Sequence, residues 1–155
     1  MADITVRIQS EPFDINAESQ RMTGNDHPNV GALVTFTGYC RNEDGTISTL
    51  ELDHYPGMAE REITRIAEDA AKRWPLDAVT AIHRFGKMET GDPIVLVAAS
   101  SRHRRAAFEG AEYVMDFLKT RAPFWKKEHL TSGDESTWVD AKEADDEALT
   151  RWEKQ

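Results

Sequence analysis

The stretch Ser100–Glu128 reads SSRHRRAAFEGAEYVMDFLKTRAPFWKKE. Ala107, Phe108, Ala111, Val114, Met115 and Leu118 recur at three- and four-residue spacing, which predicts an amphipathic helix over Arg102–Lys119. Ser100 or Ser101 is expected to cap its start, and Thr120-Arg121-Ala122-Pro123 ends it. Just upstream, Pro93–Ser100 is apolar and almost continuous, the pattern of a central strand buried on both faces. The same stretch carries seven Lys and Arg residues against four acids, a local charge of about +3 in a chain whose total is −9. A basic island on an acidic protein points to a small anion.

The chain has 155 residues, the length of one ordinary domain, and residues 1–155 are read as a single domain. With 39% apolar and 30% charged residues it has the composition of a soluble globular protein. The acidic total argues against broad nucleic-acid or anionic-membrane binding, which needs spread positive charge. Cys40 is the one cysteine, so no intrachain disulfide is possible. The start, MADITVRIQSEPFD, lacks a basic region followed by an apolar run. No apolar stretch approaches the roughly 18 residues of a membrane helix. The expected location is the cytoplasm.

Working outward, Ile4, Val6 and Ile8 alternate with polar residues as in a half-buried strand. Asp14–Met22 reads as a short helix with Asp14 as N-cap. Val30–Gly38 and Thr46–Tyr55 read as strands of one hairpin, with a turn at Asp44-Gly45. A helix runs from Pro56 to about Trp74, with Ala59, Ile63, Ile66, Ala67 and Ala70 on one face. Val79–Gly86 and Pro93–Ser100 are strands joined by a turn at Thr90-Gly91-Asp92. Phe124–Leu130 and Ser136–Ala141 form a last strand pair around Thr131–Asp134, and Lys142–Trp152 forms an acidic helix. Strands and helices mix without strict alternation, so the class is α+β.

The candidate site residues fall in three places. His103 and Arg104 sit at the start of the long helix, where free N–H groups and the dipole suit an anion. They read equally as an exposed, solvated pair. Lys119 sits at the helix end, where a lysine also simply complements the dipole. Lys126 and Lys127 lie on a strand and point to opposite faces, so one of them can share a pocket with Lys119. Crowded cations lower a lysine's pKa and make it usable for proton transfer near neutral pH. Arg41 follows a strand end, a common place for functional residues. Cys40 beside it has only Arg41 to favour a thiolate. His54 and His83 read as packed or surface residues. The histidines lack metal-ligand spacing, so neither a metal nor another cofactor is expected. Phosphate-loop, dinucleotide and nucleophile-elbow motifs are missing too.

Helix length sets one geometric limit. His103 and Lys119 are 16 residues apart, roughly 24 Å along one unbroken helix. One small pocket in one chain cannot hold both. They serve different sites, or two subunits share one site, with the helix start of one chain meeting the helix end of the other.

The segments GALVTFTGYCRN (31–42), LELDHYPGMAE (50–60), AIHRFGKMETGDPIVLVAASSRHRRAAFEG (81–110) and YVMDFLKTRAPFWKKE (113–128) resemble the large, catalytic subunits of molybdopterin synthase, the MoaE family. The resemblance runs from Val30 to Trp152. It implies an α/β hammerhead-like fold with an additional antiparallel sheet. It implies sulfur transfer to cyclic pyranopterin monophosphate (precursor Z), giving molybdopterin for the molybdenum cofactor. The sulfur would come from the C-terminal Gly-Gly thiocarboxylate of a small ubiquitin-like subunit. Two large subunits would form a homodimer at the centre of a heterotetramer. By position, Arg41, His103, Arg104, Lys119 and Lys126 match the family's pocket residues, with His103 and Arg104 supplied by the partner chain. Lys127 and Glu128 match substrate-contacting neighbours, and Lys119 with Lys126 would be the catalytic pair. Relatives often carry a lysine ahead of a Val-Arg-Asn after TFTG. Here Tyr39 and Cys40 precede Arg41, and both are counted among the candidate substrate contacts.

Two other readings compete. One is a non-catalytic docking module whose cations grip the tail of a ubiquitin-like protein. That needs one or two cations, not five. The other is a phosphate-ester hydrolase, which lacks a metal-ligand set and a nucleophile motif here.

Overall fold

Alternation at the N-terminus becomes strand β1 (Asp3–Gln9), and the next turn of chain becomes helix α1 (Ile15–Arg21). Asp14 caps α1 as expected, its carboxylate accepting the Ala17 N–H at 3.1 Å. The structure is a computed structural model and describes residues 1–42, 45, 47–130, 137–139 and 143–153. Then follow β2 (Ala32–Tyr39), β3 (Ile47–His54), α2 (Met58–Arg73), β4 (Leu76–Arg84), β5 (Gly86–Glu89), β6 (Pro93–Ser101), α3 (Arg104–Thr120), β7 (Phe124–Leu130), β8 (Thr137–Val139) and α4 (Glu143–Glu153). Asp44 and the Thr131–Asp134 turn lie outside the described residues, as do both ends of the expected strand 136–141.

The described strands form two four-stranded sheets. The first has the order β1-β4-β6-β2, with β1 parallel to β4 and the other pairs antiparallel. The second, β5-β3-β7-β8, is antiparallel throughout. This is the mixed α/β architecture with an added antiparallel sheet that the sequence led us to expect. The apolar run of β6 is central as predicted, flanked by β4 and β2 and buried from Val95 to Ser101. Helices α2 and α3 pack side by side over the first sheet. Ile63, Ile66, Ala67 and Ala70 of α2 meet Val79, Ala81, Val97 and Ala99 in one core with Ala111, Val114 and Leu118 of α3.

Three expectations are corrected. The hairpin between Val30–Gly38 and Thr46–Tyr55 does not form, because β2 belongs to the first sheet and β3 to the second. The end of β2 is instead tied to the turn before β6: Cys40 N–H donates to the Asp92 carbonyl at 2.9 Å and Gly91 N–H to the Cys40 carbonyl at 2.7 Å. Second, Gly86–Glu89 is a separate strand. Gly86 has φ +93°, a conformation that L side chains rarely adopt, and there the chain leaves the first sheet for the second. Third, neither Ser100 nor Ser101 caps α3. Both complete β6, where Ser101 pairs with Ala32 and Leu76. The N-cap is His103, without a side-chain cap bond. Ser101 Oγ still receives the His103 N–H at 3.4 Å and donates to the Pro75 carbonyl at 2.7 Å, fixing the approach to the helix. Gly31 runs so close to this corner that an added Cβ would lie 2.4 Å from the Arg102 carbonyl oxygen.

Helix α4 has an inward role. Trp152 is 1% exposed, and its ring meets Trp74 and Tyr113 edge-on at 5.5 Å. Its indole N–H donates to Asp116 at 2.6 Å, and Arg73 donates to its carbonyl at 3.3 Å. Tyr113 in turn hydrogen-bonds Asp69, and burial with that carboxylate pushes its phenol up to about 12. The acidic helix is thus anchored on α2 and α3. Among the described residues, no helix is long and apolar enough to cross a membrane.

Candidate functional site

A cavity of about 220 Å³ lies where the two sheets and the end of α3 converge. Its floor on the first sheet is one cross-strand row. His83 on β4 pairs with Val95 on β6, and Val95 pairs with Gly38 on β2. All three line the cavity, as cross-strand partners share a face. Gly38 keeps the row low, since a Cβ there would come within 2.9 Å of a Val95 methyl. On the second sheet, Leu52 pairs with Lys126, and both line the opposite wall with Leu50. Helix α3 contributes Met115, Leu118 and Lys119.

Five sequence candidates come together here: Tyr39, Cys40, Arg41, Lys119 and Lys126. They arrive from three separate parts of the chain. Three are cations, and the remaining wall is mostly apolar, so the cavity suits an anion with a flat or apolar body. Alternation along β7 puts Lys126 on the cavity side and half-buries it. The side chains of Lys127 and Glu128 lie outside the described residues; their backbones pair with Glu51 and Leu50 on β3 and with Trp138 and Thr137 on β8. Cys40 is buried, with Sγ 3.8 Å from the Met88 carbonyl. Burial, reinforced by Asp92 and opposed by Lys126, pushes its thiol up. A thiol held protonated is a poor nucleophile.

His103 and Arg104 are not part of this cavity. They are exposed at the other end of α3, a helix of 17 residues and roughly 25 Å. The first turn of α3 has no acid to answer its free N–H groups, and Arg102 and Arg105 are exposed there as well. The basic island is therefore two clusters at opposite ends of one rod.

His83, expected as a packed or surface residue, is packed and also lines the cavity. Its ring stacks on Phe124 with centroids 3.8 Å apart and an interplanar angle of 19°. Its Nδ1 lies 2.8 Å from the Arg84 carbonyl, an acceptor, so Nδ1 carries the proton. Burial above all, with the charge of Lys119 adding, lowers its pKa to about 4. The usable signal was register: strand alternation sets His83 on the opposite face from Arg84. Arg84 is buried and donates to the Ser10 and Pro93 carbonyls. Phe36 and Met115 were also missed as wall residues. Both continue into a shallow apolar groove with Val34, Phe108 and Ala111. Phe36 is 42% and Phe108 60% exposed, beside the edge of β2 that no described strand pairs. Among the described residues no three His, Cys, Asp or Glu side chains are grouped to hold a metal ion.

Comparison with known proteins gives a consistent result. The family model described as MoaE protein matches residues 8–121. A molybdopterin synthase catalytic subunit from Mesorhizobium japonicum is 58% identical over 148 residues, covering 96% of this chain and 92% of the relative. The Escherichia coli protein of that name is 44% identical, covering 98% of this chain and all of the relative. Among solved structures, the molybdopterin biosynthesis MoaE protein from Burkholderia ambifaria is 45% identical and superposes with a TM-score of 0.82, covering 99% of both chains. The molybdopterin synthase structure from Staphylococcus aureus superposes with a TM-score of 0.77 at 32% identity, covering 86% of this chain and 95% of that one. With the matched segment spanning β4, β6 and the whole of α3, the chain belongs to the MoaE family.

Proposed function

We propose that this chain is the catalytic subunit of a molybdopterin synthase, acting in the cytoplasm as one domain over residues 1–155. It transfers sulfur to cyclic pyranopterin monophosphate from the C-terminal thiocarboxylate of a small ubiquitin-like subunit. The observation that carries this reading is the convergence of Arg41, Lys119 and Lys126 on one cavity with apolar walls. Arginine can grip the cyclic phosphate as a two-pronged donor. The apolar walls suit the fused ring system. A tail ending in two glycines can thread where side chains would clash. Lys119 is the principal catalytic residue, moving protons and stabilising oxyanions as sulfur attacks, and Lys126 assists. Tyr39, Cys40, Lys127 and Glu128 complete the substrate contacts.

His103 and Arg104 enter the site from a second copy of the chain. Two features support that reading: the length of α3, and the exposed apolar groove beside the β2 edge, which runs into the cavity through Phe36 and Met115. In a two-fold pair the start of one α3 reaches the end of the other.

The test mixes the protein with thiocarboxylated small subunit and precursor Z and follows the pterin by mass spectrometry. A gain of two sulfurs is expected. Binding of the small subunit with no change in pterin mass would favour a docking module instead. Lys119→Ala should lower turnover by about 10²- to 10⁴-fold, the range for loss of a positioned proton-transfer group, while the complex still assembles. Near-normal turnover would remove Lys119 from the mechanism.

A further inference from the structure

We propose that Asp92 is a positioning residue for substrate binding: by bracing the Glu89–Asp92 turn against the backbone of Cys40, it sets where the neighbouring Arg41 stands on the cavity wall. The inference deepens the function proposed above and rests on the grip given there to Arg41.

The turn is closed twice. Asp92 N–H donates to the Glu89 carbonyl at 3.0 Å, and Glu89 N–H donates to the Asp92 carboxylate at 2.8 Å. Gly91 takes the third position with φ +92°, a value open to glycine and strained for other residues. The closed turn then holds the chain leaving β2 through both polar groups of one residue. Cys40 donates its N–H to the Asp92 carbonyl at 2.9 Å, and its own carbonyl accepts the Gly91 N–H at 2.7 Å.

The pairing of β2 with β6 slips at the same place. Gly38 pairs with Val95 but Tyr39 with Pro93, so Ile94 is an extra residue in β6. A bulge of this kind re-aims the side chains around it. The effect is visible in the cavity. Ile94 and Val95, adjacent in sequence, both line it, and so do the consecutive residues Tyr39, Cys40 and Arg41. In an unbroken strand such neighbours would face opposite ways. Arg41 is exposed, and its long side chain is offered to the cavity from a backbone anchored one residue earlier. The chain then turns again, with Gly45 N–H donating to the Asn42 carbonyl at 3.1 Å.

The competing role for Asp92 is its charge alone, which, after burial, pushes the Cys40 thiol up. Three substitutions separate charge from geometry. Asp92→Ala removes both the charge and the acceptor. Asp92→Asn removes the charge and keeps an oxygen for the Glu89 N–H. Gly91→Ala keeps the charge and strains the turn; nothing lies within 4 Å of the added Cβ, so its effect is conformational.

Binding of precursor Z to the complex with unsulfurated small subunit is measured by calorimetry, and kcat and KM with the thiocarboxylated subunit. Asp92→Ala and Gly91→Ala should weaken binding roughly 10- to 100-fold, the upper end being the loss for a contact misplaced by about 1 Å. KM should rise in step and kcat should change much less, while Asp92→Asn should bind nearly as wild type does. In an Arg41→Ala background, Asp92→Ala should add less than about twofold, because both act through one contact. A general loosening of the fold would instead add its penalty in either background. Wild-type affinity in Asp92→Ala, additive losses in the double variant, or an Asp92→Asn as weak as Asp92→Ala would each overturn the proposal. If the urea midpoint shows that Asp92→Ala folds poorly, Gly91→Ala with and without Arg41 carries the same reading. An Arg41→Ala variant that binds precursor Z as tightly as wild type would remove the grip of Arg41 and this inference with it. Weakened binding in Arg41→Ala beside unaffected binding in Asp92→Ala would sink the inference alone.

Discussion

The helix-covered face of the first sheet and the cavity side of the second sheet are built on different scales. The first holds a continuous core from Ile63 through Val97 to Trp152, closed by α2, α3 and α4. Among the described residues, the second has Cys40, Leu50, Leu52 and Met88 as its buried cluster, with Ile94 packed against it. The large core holds α3 and the β4–β6 rows in place. The small one belongs to the wall that carries Lys126 and borders the cavity. A site at this seam combines a stiff floor with a thinner wall, the usual division between scaffold and binding surface.

That contrast can be broken experimentally. Trp152→Ala should be the most damaging, costing about 3–5 kcal/mol as expected for a large buried aromatic, with a matching drop in urea midpoint. A loss below about 1 kcal/mol would mean that α4 is not anchored as described. Acid comes next. His83 titrates at about 4 in the folded chain against an ordinary 6.5, so between those values the unfolded chain binds more protons. Stability should rise with pH through that window and level off above it, a span of about 3 kcal/mol from this one group. His83→Phe should flatten the slope, and an unaltered slope would assign it to other groups. Met88→Ala, on the thin side, should cost about 2 kcal/mol, the low end for such truncations, because a small cluster relaxes more readily. Amide exchange should be faster in β3 and β5 than in β4 and β6; equal protection would erase the contrast. The smallest effect is chemical: alkylation of Cys40 at pH 7 should be slower than for a free thiol, because it is buried and its thiol is pushed up.

What the sequence revealed divides along the same seam. The α2 and α3 stripes and the continuous β6 run identified the large core, because a 3.6-residue period and a two-sided buried strand are local signals. The separation of His103 from Lys119 was also legible, since helix rise alone decides it. Strand partnership was not. Val30–Gly38 and Thr46–Tyr55 look like a hairpin until the Cys40–Asp92 and Gly91–Cys40 bonds are seen to tie β2 elsewhere. For the same reason His83 stayed hidden: it joins the site through the His83–Val95–Gly38 row, and register across three strands is not written in any one of them. Lys119 and Lys126 stood out because cations on an acidic chain are conspicuous, Arg41 because it follows a strand end, and the family resemblance grouped the three. An uncharged imidazole within a strand is not conspicuous.

Helix α3 carries a consequence for how this lineage can vary. On the proposed function it behaves as a ruler with a functional mark at each end, and each residue of an α-helix turns the next by about 100°. One residue gained or lost between Arg104 and Lys119 would swing Lys119 off the cavity wall, and a whole extra turn would lengthen the rod by about 5.4 Å. Side chains along α3 are free to drift while its residue count is not. Insertions and deletions accumulated over descent should therefore fall outside it.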